Sequence, residues 1–237
     1  MRERVNVILG KKPVLFVAPH GPDDTNTALI AEKAANLING YAVINQGFER
    51  NDEVDVDNDL ADCNRVDHCL SEVVMDEFLR PIIKIRNHST KYGINPESDK
   101  SLLVIYVHGA GNLVHVEANE PVDVIIGYGL GKEKDSLTCK AWKKNFLVDS
   151  WRNISNTGEV YEGAGDGRYA GRSANNMNQY FRKHIMDKNV DSLQLEFPFS
   201  LRKTKEAAAY TASLLATTID MLLNTSSYDK TPKSKFI

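Results

Sequence analysis

The stretch VLFVAPHGPDDTNT, Val14 to Thr27, decides how the chain folds. Val14, Leu15, Phe16 and Val17 form an apolar run that reads as a buried strand. Pro19 breaks it and leaves His20 in the turn, followed by Gly21, Asp23, Asp24 and a helix start at Thr25 or Asn26. In an open α/β sheet, ligands gather beyond the carboxyl ends of the strands. An imidazole and a carboxylate set there, a few residues apart, can take two corners of a divalent-metal site. Asp24, Thr25 and Asn26 are also good N-caps, because a short side-chain oxygen accepts from the free N–H groups of a first helical turn.

Working outward, strand-like and helix-like segments alternate. Over 25–39, Ile30, Ala34, Leu37 and Ile38 share one helical face, and Gly40 follows where a terminating glycine belongs. Tyr41 to Ile44 reads as a short strand, and an acidic stretch without apolar period runs on to Arg65. Helical spacing returns at Val66, Leu70, Val73, Val74 and Phe78, with Pro81 expected to kink or end it. Residues 94–101 read as a surface loop. Leu102 to Val107 is the clearest strand and runs into His108-Gly109. Residues 122–129 give another strand, Ser136 to Phe146 a helix, 150–172 loops, and 173–188 a helix. SLQLEF (192–197) is a strand, and a long helix follows at roughly 202–223 with Ala208, Ala212, Leu215, Ile219 and Leu222 toward the sheet. The polar tail, 225–237, is expected to fray. The prediction is one α/β domain over 1–237, a three-layer, open, mostly parallel (mixed) sheet with helices on both faces.

The bulk numbers narrow the function. Apolar residues at 42% and charged ones at 26% argue against disorder and membrane spanning. A net charge of −3 with no Lys/Arg block gives no pull toward nucleic acid. The apolar run Val5 to Leu9 is too short for a signal-peptide core. Cys63, Cys69 and Cys139 suit reduced, packed thiols, so a cytoplasmic setting is expected.

Three strands end in a titratable residue: His20, His108 and Glu196. Parallel strands would bring these to one edge, and two imidazoles with a carboxylate leave a zinc position open for water. Glu196 has apolar neighbours in LQLEFP, where an unpaired charge is costly, although it also shares a strand face with Gln194. His115 competes with His108, while His68, His88 and His184 read as solvated. Asp62, Asn64 and Arg65 form D-x-N-R at the end of the acidic loop. A guanidinium there suits bidentate recognition of a carboxylate, and Asp62 or Asn64 serves equally as a helix cap. Arg202 and Arg172 are further candidate substrate-binding cations.

The order APHG with acid and Thr, D-x-N-R, a strand ending in HG, and LQLE followed by LR resembles the N-formylglutamate amidohydrolase and poly-γ-glutamate hydrolase group of zinc enzymes. More distantly it resembles aspartoacylase and the zinc carboxypeptidases. ANNMNQYFRKH (174–184) is similar to the N-rich segment that precedes LQLE in the polyglutamate hydrolases. The resemblance implies a zinc-carboxypeptidase-like fold, with zinc held by His20, an acid from Asp23 or Asp24, and His108. It implies Glu196 as catalytic carboxylate, and Arg65 with Asn64 on a small acidic amide substrate. The chain departs from the group in having Asp where the acid ligand is usually Glu, and HGPDD lacks a second glycine. Counting H-x-x-acid picks Asp23, whereas aligning Thr27 picks Asp24. The alternative to a zinc-dependent amidohydrolase is a non-catalytic module binding an anionic metabolite through Gly109, Gly111, Gly127, Gly129 and Gly131. No G-x-x-x-x-G-K-[ST] loop supports a nucleotide.

Overall fold

The computed structural model describes residues 3–91, 101–111, 114–115, 120–130, 137–155, 159–163, 169–187 and 189–225. The loop expected at 94–101, apart from Ser101, and the tail beyond Thr225 lie outside them. Seven strands form one mixed sheet. They are β1 (Val5–Ile8), β2 (Val14–Ala18), β3 (Tyr41–Asn45), β4 (Leu102–Gly109), β7 (Val124–Gly127), β8 (Val160–Glu162) and β9 (Val190–Phe197). The short strands β5 (Val114–His115) and β6 (Glu120–Pro121) pair separately. The order is β1-β3-β2-β4-β9-β7-β8. β3, β2, β4 and β9 run parallel, while β1 is antiparallel to β3 and β7 antiparallel to β9.

Helices cover both faces, which is why β2 and β4 read as unbroken apolar runs rather than alternating ones. Val14, Phe16 and Ala18, with Leu103, Ile105 and Val107, face a layer of α1 (Thr27–Ile38), α5 (Ala141–Ile154) and α6 (Lys205–Asn224). Leu15 and Val17, with Leu102, Val104 and Tyr106, face a second layer. That layer holds α2 (Val66–Cys69), α3 (Glu72–Val74), the π-helical turn Met75–Leu79 and α4 (Arg80–Lys91). The stripe Ala208, Ala212, Leu215, Ile219 and Leu222 is buried as expected, and Thr204 caps α6 by accepting from Ala207 N at 3.1 Å.

Several expectations are corrected. Leu37 is 60% exposed, and Ala31 and Ala35 fill the sheet-facing side of α1 instead. The helix ends on Asn39 in the left-handed conformation, whose N–H bonds back into the last turn, with Gly40 one residue beyond. Pro81 does not stop its helix. Helical residues run without a break from Glu72 to Lys91, and Pro81 sits directly after the π-turn Met75–Leu79, a local widening of the kind that accompanies a proline inside a helix. The 150–172 region is not all loop: α5 continues to Ile154 because Leu147, Val148 and Trp151 are buried, and β8 adds an edge strand on β7. Three residues are too few for β8 to show an alternation. Residues 173–188 hold a 3-10 turn (Met177–Gln179) and a π turn (Tyr180–His184) rather than one α-helix. β1 was not foreseen, because its four residues carry an Asn that breaks the apolar run. Among the described residues no helix is long and apolar enough to cross a membrane.

Candidate metal centre

β2, β4 and β9 are parallel neighbours, so His20, His108 and Glu196 reach the same edge of the sheet. Glu196 stands directly opposite His108 in the β4–β9 ladder. The turn carrying His20 is locked by Asn45, fully buried at the end of β3. Asn45 Nδ2 donates to Pro19 O and Phe48 O, both at 2.7 Å, and its Oδ1 accepts from Phe48 N at 2.8 Å. Gly21 is required there, since a Cβ would stand 2.0 Å from Asn45 O. Asp24 is then turned inward and accepts from Gly109 N at 3.0 Å.

One ligand atom from each of His20, Asp24 and His108 lies within 4.8 Å of the others. His20 Nδ1 is 3.6 Å from Asp24 Oδ2, His108 Nδ1 is 4.0 Å from the same oxygen, and the two rings meet edge to face at 5.0 Å. His20 Nε2 is 2.8 Å from Asp62 Oδ1, an arrangement that fixes the imidazole tautomer and leaves Nδ1 facing Asp24. Burial disfavours a charge on His20, but its contacts with Asp24 and Asp62 outweigh this and push its pKa up to about 9. Burial, with the neighbouring His20 charge, pushes His108 down to about 3. Its Nε2 is buried with no partner among the described residues.

These three side chains line a cavity of roughly 350 Å³ together with Arg50, Asn64, Gly109, Ala110, Gly111, Tyr169, Asn176, Gln194 and Glu196. Glu196 accepts from Gln194 Nε2 at 2.6 Å, and Gln194 in turn accepts from Asn176 Nδ2 at 3.1 Å. Burial raises the Glu196 carboxyl to about 7. The D-x-N-R and N-rich segments are stitched together by Val66 N to Asn175 O and Met177 N to Asn64 O, so both reach the cavity wall.

The remaining candidates lie elsewhere. Asp23 points away and accepts from Arg50 N at 3.0 Å. The Arg65 guanidinium grips Asp67 at 2.7 and 3.2 Å and does not line the cavity, whereas Arg50 from the acidic loop does. Asp62 bonds Asn64 N and His20 rather than serving as the side-chain cap of α2. Arg202 is buried against backbone carbonyls, and Arg172, half-buried, is not among the lining residues. Asn64 is, and its Oδ1 is buried without a partner among the described residues. His68, expected in solvent, is buried, and its Nδ1 accepts from Asp62 N at 3.0 Å. His88 and His184 are exposed as expected. Nothing in the periodicity marked Arg50; only the length of its loop pointed to function.

Neither a protein-family model nor a curated protein matches the sequence. Solved structures do match. The gene product Atu2144 from Agrobacterium tumefaciens superposes with a TM-score of 0.61 at 13% identity, covering 94% of this chain and 95% of that one. A metallo-carboxypeptidase from Burkholderia cenocepacia gives 0.50 at 11% identity, over 93% of this chain and 61% of its own. A bacteriophage poly-γ-glutamate hydrolase gives 0.49 at 11% identity, over 92% and 89%. The architecture shared with the first two is the mixed, helix-covered sheet described above, and the chain has the fold of the metallo-carboxypeptidases.

Proposed function

We propose that this chain is a zinc-dependent hydrolase acting on the amide bond of a small acidic N-acyl amino acid or γ-glutamyl compound. The observation that carries the reading is the convergence of His20, Asp24 and His108 within 4.8 Å, beside a buried Glu196 facing the same cavity. The donor set fits zinc: two imidazoles and a carboxylate are the ligands of open catalytic sites. The Asp62 brace on His20 Nε2 fits as well, since a ligating imidazole uses one nitrogen and is oriented through the other.

His20, Asp24 and His108 would hold the ion, with Asp23 left to anchor the Arg50 loop. Zinc bound there supplies Lewis acidity, which polarises a carbonyl and eases loss of a water proton. Glu196, held by Gln194 and with a carboxyl near 7, accepts that proton and returns it to the departing amine. Arg50 and Asn64 face the substrate, the guanidinium meeting a carboxylate and the carboxamide meeting a polar group beside it. Arg65, committed to Asp67, supports the loop instead.

The test is a screen of N-formyl, N-acetyl and γ-glutamyl amino acids with zinc-loaded protein. Hydrolysis that chelation abolishes and zinc restores is expected. Binding of an acidic amino acid that ignores chelation, with no turnover of any compound, would overturn the enzymatic reading and favour an anion-binding module.

A further inference from the structure

Asp24, His108 and Glu196 come from three separate chain segments, and one side chain touches all three segments. Arg202, in the turn between β9 and α6, is only 6% exposed. Its Nε donates to Phe197 O at 3.1 Å, one Nη to Thr25 O at 3.1 Å, and the other to Ala110 O at 2.7 Å. Phe197 follows Glu196, Thr25 follows Asp24, and Ala110 lies two residues beyond His108. A return bond closes the arrangement, since Asn26 Nδ2 donates to Arg202 O at 2.7 Å. The guanidinium lies against Gly109, where a Cβ would meet Cζ at 2.4 Å, and the ring of Phe199 covers it 5.5 Å away.

Phe197 O also accepts from Ala110 N at 2.9 Å, whereas the carbonyl of buried Ala110 is met by Arg202, and a buried carbonyl left unpaired is costly. A planar guanidinium with five donors can reach three diverging acceptors at once, whereas a lysine ammonium is a compact point on a flexible stem. We propose that Arg202 is a positioning residue that sets the spacing of Asp24, His108 and Glu196 about the metal by tying their three backbone segments to one rigid group. This rests on the metal-centre reading above. It predicts a loss in metal affinity larger than a comparable loss of stability elsewhere would produce.

Arg202→Lys and Arg202→Met would be compared with the wild type and with Lys143→Met, a buried change at the opposite sheet edge. The readouts are the melting temperature of chelated protein, zinc affinity by competition with a chromophoric chelator, and the imidazole NMR resonances of His20 and His108 without metal. Zinc affinity per folded molecule should fall about 10–100-fold in both Arg202 variants, the usual loss when an outer-shell partner is removed. The imidazole resonances should move, while Lys143→Met, melting early, keeps wild-type affinity and resonances. Unmoved resonances and affinity within twofold of wild type would overturn the proposal, as would an equal affinity loss in Lys143→Met. Should the wild type bind no zinc, the metal reading fails, and the resonances alone still decide whether Arg202 positions these groups. If the Arg202 variants do not fold, Gly109→Ala pushes a methyl onto the guanidinium and is judged by the same readouts.

Discussion

The two edges of the central sheet both bury charge, and they do it differently. At the amino edge, Asp191 near the start of β9 receives the Lys143 ammonium at 2.6 Å, the Ser101 hydroxyl, and Lys140 N at 2.9 Å. Lys143 also donates to Ser101, and all three side chains are buried. At the carboxyl edge, His108 Nε2 and Asn64 Oδ1 have no partner among the described residues, and the Glu196 carboxyl is lifted by burial. The first cluster is complete within itself; the second opens onto a cavity. A buried polar group that has satisfied its neighbours is scaffolding, and one left short beside a cavity implies a missing partner.

The largest effect that would sharpen this contrast is removal of a ligand. His20→Ala and His108→Ala should lose zinc and activity together, read by metal analysis and by turnover. Next comes Glu196→Gln, which should keep its zinc while turnover falls about 10²–10⁴-fold, the usual contribution of general acid–base catalysis. Loss of zinc from that variant would make Glu196 a ligand. Arg50→Ala should lower kcat/KM roughly 10–100-fold, the value of a hydrogen bond to a charged group. Arg65→Ala should change it less than about threefold, as for a surface substitution. The reverse ranking would return the substrate contact to the D-x-N-R arginine.

At the other edge, Lys143→Met takes the buried cation from the Asp191 carboxylate and leaves only the exposed Lys140 ammonium, 4.0 Å away. Denaturant unfolding should show a loss of about 3–5 kcal/mol, with kcat per folded molecule unchanged. The smallest effect is a gain. A carboxyl raised from its ordinary value to about 7 costs nothing while it is protonated, below pH 4.5. The cost grows between pH 4.5 and 7 and is complete above. Glu196→Gln should therefore stabilise the chelated protein at pH 8 by on the order of 1–3 kcal/mol, and leave it unchanged at pH 4. Equal stability at both pH values would mean that Glu196 is solvated.

What could be read from the sequence follows the same division. β2 and β4 were legible because strands buried on both faces need unbroken apolar runs, and a titratable residue following or closing such a run stands out. β9 was legible through the alternation of Leu193, Leu195 and Phe197 with Ser192, Gln194 and Glu196. That His20, His108 and Glu196 share one edge follows from parallel pairing; their adjacency needed the strand order β2-β4-β9, which no sequence pattern showed. The choice between Asp23 and Asp24 was not legible, since both sit in one turn. Their directions are set by contacts remote in sequence, Arg50 N for one and Gly109 N for the other. Arg50, Arg65 and Arg202 were equally opaque. An arginine's role depends on which acceptor its long side chain reaches, and Asp67 and the three carbonyls captured two of them. His68 is buried although Asp67 beside it is exposed, because its ring turns inward and Nδ1 accepts from Asp62 N, a direction that local charge does not reveal.

Zinc stoichiometry tests the central claim most directly. Purified protein, stripped by chelation and reconstituted with zinc, should hold one ion per chain, and the His108→Ala variant treated alike should hold none. Wild-type protein that takes up no zinc, or a His108→Ala variant that retains a full equivalent, would contradict the claim that the strand-end cluster is a metal centre.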